Sequence, residues 1–220
     1  MADRLPTRWQ PRHALCLVTD GSLCAPRTLV EVVSAALQGG VGMVQLREKK
    51  LDSRAFVERA RAIQALTASA GVPLVINDRL DIALVVGADG LHVGQSDLSV
   101  ADVRLWLPDA LVGLSIESMA DLLAAPAGVD YLGVSPVFAT ATKADAAAAL
   151  GLEGLAAIRA ATRLPLVAIG GIGAHNARAV LRHGADSLAV VSAICAAADP
   201  RAAAAELAGC IESESNSRPS

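Results

Sequence analysis

The chain has very few aromatic residues: two Trp, two Phe and one Tyr among 220. Aromatic stacking is thereby excluded as the main means of holding a ligand. The core must be aliphatic and alanine-rich, since 53% of the residues are hydrophobic. Scarce aromatics and a net charge of -3 also set nucleic acid aside as a partner. No segment reaches the roughly 18 uninterrupted apolar residues of a membrane span. Met1 to Pro11 carries Arg4 and Arg8 without the apolar run of a secretory signal. The four cysteines, Cys16, Cys24, Cys195 and Cys210, form no CxxC pair. Free buried thiols in a reducing cytosol are expected, not disulfides or metal ligands. The sequence also lacks a Gly-x-Ser-x-Gly elbow and a His-Glu-x-x-His pair, which removes two hydrolase classes.

What is present is alternation. Strand-like runs fall at Ala14–Thr19, Met43–Arg47, Leu74–Asn77, Gly90–Val93, Leu111–Ser115, Tyr131–Ser135, Leu166–Ile169 and Ser187–Val191. Helical patterns lie between them, among them Ser53–Ala70, Val100–Trp106, Leu152–Ala161, Ala174–His183 and Arg201–Ala208. Gly87-Ala88-Asp89, Gly128-Val129-Asp130 and Gly184-Ala185-Asp186 each precede an even-numbered strand, with the glycine in the place of a helix C-terminal cap. Eight β-α units without a composition break predict a single α/β domain, a (β/α)8 barrel over residues 13–211. A doubly wound open sheet is the rival. Polar residues follow nearly every strand, not one switch point, and that favours the barrel. Residues 1–12 read as an N-terminal extension, and 212–220 as a polar, disordered tail.

Barrel chemistry sits at the C-terminal ends of the strands. The second strand delivers Gln45, Arg47 and Lys49, two cations and an amide on one side of a buried strand. Such a set suits a phosphate or diphosphate. The third and fourth strands deliver Asn77, Asp78, His92, Gln95 and Asp97. Asp78 and Asp97 follow neighbouring strands, so their carboxylates can converge on a Mg2+ ion that also holds a diphosphate. The competing expectation is that each simply caps the helix after it. Ser115 follows strand five. A long loop with Thr140, Thr142 and Lys143 follows strand six. Gly170-Gly171-Ile172-Gly173 follows strand seven and Val191-Ser192 closes strand eight, the usual place for a barrel phosphate. Two anion sites thus face each other across one mouth, one cationic and one rich in backbone amides. His92 reads as a structural or ligand-orienting histidine, and His13, His175 and His183 as superficial.

At these residues the chain resembles the thiamine-phosphate synthase family. The motifs are Gln45-Leu46-Arg47-Glu48-Lys49, Ile76-Asn77-Asp78, Gly90 to Asp97, Gly133 to Lys143, Ala168 to Ile172 and Val190 to Ile194. The resemblance implies a (β/α)8 barrel that joins a hydroxymethylpyrimidine diphosphate to a thiazole phosphate, releasing pyrophosphate. It implies Mg2+ on Asp78 and Asp97, and diphosphate contacts from Arg47, Lys49, Asn77 and Lys143. Gln45 and Ser115 would lie near the pyrimidine. Thr140, Thr142, Gly171, Val191 and Ser192 would hold the thiazole phosphate. Arg47, Lys49, Lys143 and Ser115 are the residues expected to carry catalysis. Ala139 and Ala141 depart from a pattern that often has proline, and Ser135 from one that often has glycine. These departures bear on loop stiffness more than on chemistry. The loop around residues 140–149 is expected to close as a lid. A cytoplasmic enzyme with small-molecule substrates follows, with homo-oligomerisation left open. The rivals are a thiazole tautomerase on the same barrel, a phosphosugar aldolase or isomerase using Lys143, and a non-catalytic phosphate-ligand sensor.

Overall fold

The structure is a computed structural model, and it describes residues 14–140 and 148–216. Eight strands pair in parallel in sequence order, and the last returns to the first: β1 Leu15–Val18, β2 Met43–Leu46, β3 Leu74–Asn77, β4 Gly90–Val93, β5 Leu111–Ile116, β6 Tyr131–Val134, β7 Leu166–Ile169 and β8 Ser187–Val190. The helices around them are α1 Leu29–Gln38, α2 Ser53–Ala70, α3 Leu80–Val86, α4 Val100–Trp106, α5 Met119–Ala124, α6 Gly151–Ala161, α7 Ala174–Arg182, α8 Ser192–Cys195 and α9 Pro200–Ser215. This is the closed (β/α)8 barrel that the alternation predicts.

Strand periodicity of two sorts the side chains into two cores. Outward residues such as Leu15, Leu17, Val44, Leu46, Ile76 and Leu91 join one apolar cluster with the helices. Inward residues Cys16, Val18, Met43, Val75, Tyr131, Val167 and Ala189 fill the barrel. The helices are anchored locally. Thr28 and Glu31 form a reciprocal capping box at α1. Asp52 caps α2, whose buried positions Phe56, Ala60, Ile63 and Thr67 recur every three or four residues.

The Gly-x-Asp triplets serve as clasps at the N-terminal end of the barrel. Gly87, Gly128 and Gly184 all take positive φ and turn the chain from helix into strand. Each aspartate then bonds the strand before its own. Asp89 accepts from the Leu74 N–H at 2.8 Å, Asp130 from Val112 at 2.7 Å and Asp186 from Leu166 at 2.8 Å. Arg104 and Arg159 pair with Asp130 and Asp186. The corresponding corner before β2 is Gly40-Val41-Gly42, and it has no carboxylate. Gly42 still donates its N–H to Leu15 O at 2.9 Å.

Two sequence expectations need correction. The chain past Ile211 is not a disordered tail as far as it is described. Helix α9 continues to Ser215, because Glu214 turns inward and takes two hydrogen bonds from Arg182, at 2.9 and 3.1 Å. Strand β2 stops at Leu46, not Arg47, because the Arg47 N–H goes to the Thr19 hydroxyl at 3.0 Å instead of a ladder carbonyl. All four cysteines are free and buried.

Candidate active site

Inside the barrel three residues of one layer face each other. Strand register aligns His92 with Gly113, and Gly113 with Tyr131. Gly113 leaves the space that lets the two rings meet: a Cβ there would lie 2.2 Å from the Tyr131 ring and 2.4 Å from His92 Nδ1. His92 Nδ1 is 3.0 Å from the Tyr131 hydroxyl, and Nε2 is 2.8 Å from Ser115 Oγ. Burial pushes the His92 pKa down to about 4, so the imidazole is neutral. Burial likewise lifts the Tyr131 hydroxyl well above its ordinary range.

Above this layer opens a cavity of about 1530 Å³. Gln45, Arg47, Lys49, Asn77, Asp78, Asp97, Ser115, Thr140, Gly171, Val191 and Ser192 all line it. Strand ends far apart in the sequence are therefore brought to one mouth. Thr142 and Lys143 lie outside the described residues, as does most of the expected lid.

One half of the rim is charged. Lys49 Nζ sits 2.5 Å from Asp78 Oδ2. Asp97 lies close enough to Asp78 for the two carboxyls to interact, and it accepts from the Gly94 N–H at 2.7 Å. Burial raises the Asp78 pKa, Lys49 lowers it, and the neighbouring Asp97 charge raises it again. Neither aspartate is an N-cap: Arg79 and Ser99 hold those positions on α3 and α4. The capping alternative therefore falls. Asp78 also has φ of 63°, rare for a non-glycine residue. The Arg79 N–H reaches back to Asn77 O at 2.8 Å, closing a tight three-residue turn around it. Strain of this kind costs about 1–3 kcal/mol and collects at functional sites. The Arg47 guanidinium makes no ion pair among the described residues, and its backbone is braced by Thr19 at both N–H and carbonyl. Beside it, Glu48 is held by Arg59 at 2.6 Å.

Two neighbouring carboxylates beside an ammonium fit a divalent cation. Among the described residues no third His, Cys, Asp or Glu joins them. That suits Mg2+, which keeps several waters or phosphate oxygens and needs only one or two protein carboxylates.

The other half is built from backbone. Gly170 and Gly171 follow β7 with φ of 108° and 63°. Asn176 ties this turn to α7, donating to Gly171 O and accepting from the Gly173 N–H, both at 2.9 Å. Val191 and Ser192 begin α8. Helix geometry leaves the first N–H groups of α7 and α8 without intrahelical partners, in the manner of phosphate sites.

A family model for thiamine monophosphate synthase matches residues 15–194. The chain belongs to the thiamine monophosphate synthase family. A curated relative from Albidiferax ferrireducens, named thiamine-phosphate synthase, is 56% identical over 88% of this chain and 89% of its own length. One of the same name from Laribacter hongkongensis is 52% identical over 89% and 93%. A solved structure, the thiamine phosphate pyrophosphorylase of Pyrococcus furiosus, is 37% identical, with a TM-score of 0.86 over 94% of this chain and 98% of that one. A 3-hexulose-6-phosphate synthase at 20% identity and TM-score 0.68 shares the fold alone.

Sequence reading missed Tyr131 as more than a strand residue. The available signal was its register: as the lone tyrosine, two residues before Gly133 and four before Ser135, it falls on the inward face. His175, expected to be superficial, is exposed and also lines the cavity.

Proposed function

We propose that this chain carries out the reaction for which its relatives are named, thiamine-phosphate synthesis. It joins 4-amino-2-methyl-5-hydroxymethylpyrimidine diphosphate to 4-methyl-5-(2-phosphooxyethyl)thiazole and releases pyrophosphate. The observation that carries the residue assignment is the pairing across one cavity: Lys49, Asp78 and Asp97 beside Arg47 on one rim, the Gly171 and Ser192 turns on the other.

In this reading Asp78 and Asp97 hold Mg2+, which when bound supplies positive charge to the diphosphate oxygens. Arg47, Lys49 and Asn77, with Lys143 from the loop after β6, bind the diphosphate and stabilise the charge that grows on the departing pyrophosphate. The electron-rich aminopyrimidine tolerates a cationic methylene, so departure leads. Gln45 and Ser115 hold the ring in place. Thr140, Thr142, Gly171, Val191 and Ser192 fix the thiazole phosphate, which sets the thiazole nitrogen beside the electrophilic carbon. Exclusion of water protects that carbon, the task assigned to the loop after β6. A small-molecule enzyme of the cytoplasm is the setting this implies. Among the described residues no helix is long and apolar enough to cross a membrane.

The test is incubation with both substrates and Mg2+, with thiamine phosphate and pyrophosphate measured together. Equal appearance of the two supports the reading. Conversion of the thiazole phosphate without pyrophosphate release would point to a tautomerase instead, and binding without turnover to a sensor.

A further inference from the structure

One carboxylate at the mouth of the cavity works against an anionic ligand. Glu48 stands between Arg47 and Lys49 in the chain and lines the same cavity. Among the described residues that lining carries five carboxylates and only four Lys or Arg side chains. Asp78 and Asp97 have a use, since in the reading above they hold Mg2+. The reaction as drawn has no use for Glu48. Its side chain is only 9% exposed, so water cannot satisfy the charge. A buried carboxylate needs a cation and hydrogen bonds of its own.

The partner comes from a different element. Arg59, in the second turn of α2, donates from Nη1 to Glu48 Oε1 at 2.6 Å. The loop after β1 lies close over this pair. A Cβ on Gly21 would be 3.3 Å from Arg59 Nη1 and 3.9 Å from Glu48 Oε1. The carboxylate is therefore engaged from α2 and covered from the first loop. Lys49 pairs with Asp78, and the Arg47 guanidinium makes no ion pair among the described residues. Without Arg59, the cations next to Glu48 in the chain are those same two residues.

We propose that Arg59 is a positioning residue that keeps the Glu48 carboxylate engaged away from Arg47 and Lys49, so that both cations stay available to a diphosphate. This rests on the reading of the site given above. The pair could instead be a plain staple between α2 and the loop after β2. The two roles differ in sign. A staple is lost when either partner is changed. A sequestered charge does harm only when Arg59 is removed and Glu48 keeps its charge, because a buried ion left without its partner seeks another.

Three variants of the full chain separate these roles, with inorganic pyrophosphate and Mg2+ as the probe and calorimetry as the measurement. Arg59→Met should weaken pyrophosphate binding about tenfold. Glu48→Gln should bind it at least as tightly as the wild type. The double variant should recover most of the loss, an interaction between neighbours that additivity would not give. In turnover, Arg59→Met should raise KM for the pyrimidine diphosphate and leave KM for the thiazole phosphate unchanged. Unchanged pyrophosphate affinity in Arg59→Met overturns the proposal. So does equal weakening in all three variants, the result a staple predicts. If Arg59→Met does not fold by circular dichroism, the other two variants decide, since neither contains an unpaired charge at this pair: weak binding in both overturns the proposal. Pyrophosphate binding by a wild type that makes no thiamine phosphate would sink the assigned reaction and leave the variant comparison intact. No pyrophosphate binding by the wild type would remove the diphosphate site and this proposal with it.

Discussion

Replacing Gly171 with alanine separates the two anion sites. The residue has φ of 63°, where a Cβ costs about 1–2 kcal/mol. The added carbon would also lie 2.8 Å from Ala139 O and 2.8 Å from Phe138 Cβ. One of those neighbours is backbone, so the loop after β6 has to move, and crowding of this kind typically costs about 1–3 kcal/mol. Together the strain is roughly 2–5 kcal/mol, below the about 5–15 kcal/mol that holds a domain folded. The variant should fold with a lowered melting temperature and relieve the strain by displacing the turn. If the thiazole phosphate binds backbone N–H groups of that turn, as proposed, its affinity should fall at least tenfold, about 1.4 kcal/mol. The pyrimidine diphosphate, proposed to bind across the cavity, should bind as before. Calorimetric titration of each ligand, after circular dichroism has shown an intact fold, measures both. Unchanged thiazole phosphate affinity in a folded Gly171→Ala protein would remove the β7 turn from the site.

Four further outcomes follow. Asp78→Asn and Asp97→Asn should each raise the Mg2+ concentration needed for half-maximal turnover, and Lys49→Met should slow the single-turnover rate roughly a hundredfold. Normal Mg2+ dependence in both aspartate variants would contradict the metal assignment. Because His92 has a folded-state pKa of about 4, below its ordinary 6.5, the unfolded chain binds a proton that the folded barrel refuses. Its contribution is intact above pH 6.5 and falls by about 3 kcal/mol as pH drops toward 4. Urea denaturation between these limits should show a shallower pH slope in His92→Gln. Asp186→Ala should lower stability by about 1–3 kcal/mol through the orphaned Leu166 N–H, while kcat stays within twofold, since the clasp lies at the end of the barrel away from the cavity.

The sequence was most legible where one physical rule governs a whole segment. Ser53–Ala70 and Val100–Trp106 appear with the boundaries their patterns predict, because an acidic or hydroxyl cap and a spaced apolar face coincide there. The lining of the cavity was legible because polar residues at barrel strand ends converge on one mouth, so eight short apolar runs bring Arg47, Asp78 and Ser115 there without coordinates. Pairwise partners were not. Nothing local tells that Thr19 captures the Arg47 N–H, that Glu214 turns in to Arg182, or that Tyr131 and His92 share a layer through Gly113. Each depends on a register or a crossing between residues far apart in the chain. The Gly-x-Asp triplets fell between these cases: their recurrence was visible, and their use of the carboxylate on the preceding strand was not.

Those triplets divide the barrel unevenly. β3–β4, β5–β6 and β7–β8 are each locked by an aspartate, two of them charge-assisted by arginine, whereas the β1–β2 corner has Gly42 in that place. The far side of β1 is held by a neutral bond, Ala14 N–H to the Ser187 hydroxyl at 3.0 Å. Bonds to charged acceptors are the stronger kind. β1 and β2 are thus the two strands that no aspartate clasps, and the wall of the cylinder should open most readily along them. Amide exchange should be fastest there, and Thr19, which steadies Arg47, lies one residue beyond β1. Opening at this seam would reach Arg47, the residue proposed to hold the diphosphate, while the three clasped pairs stay shut.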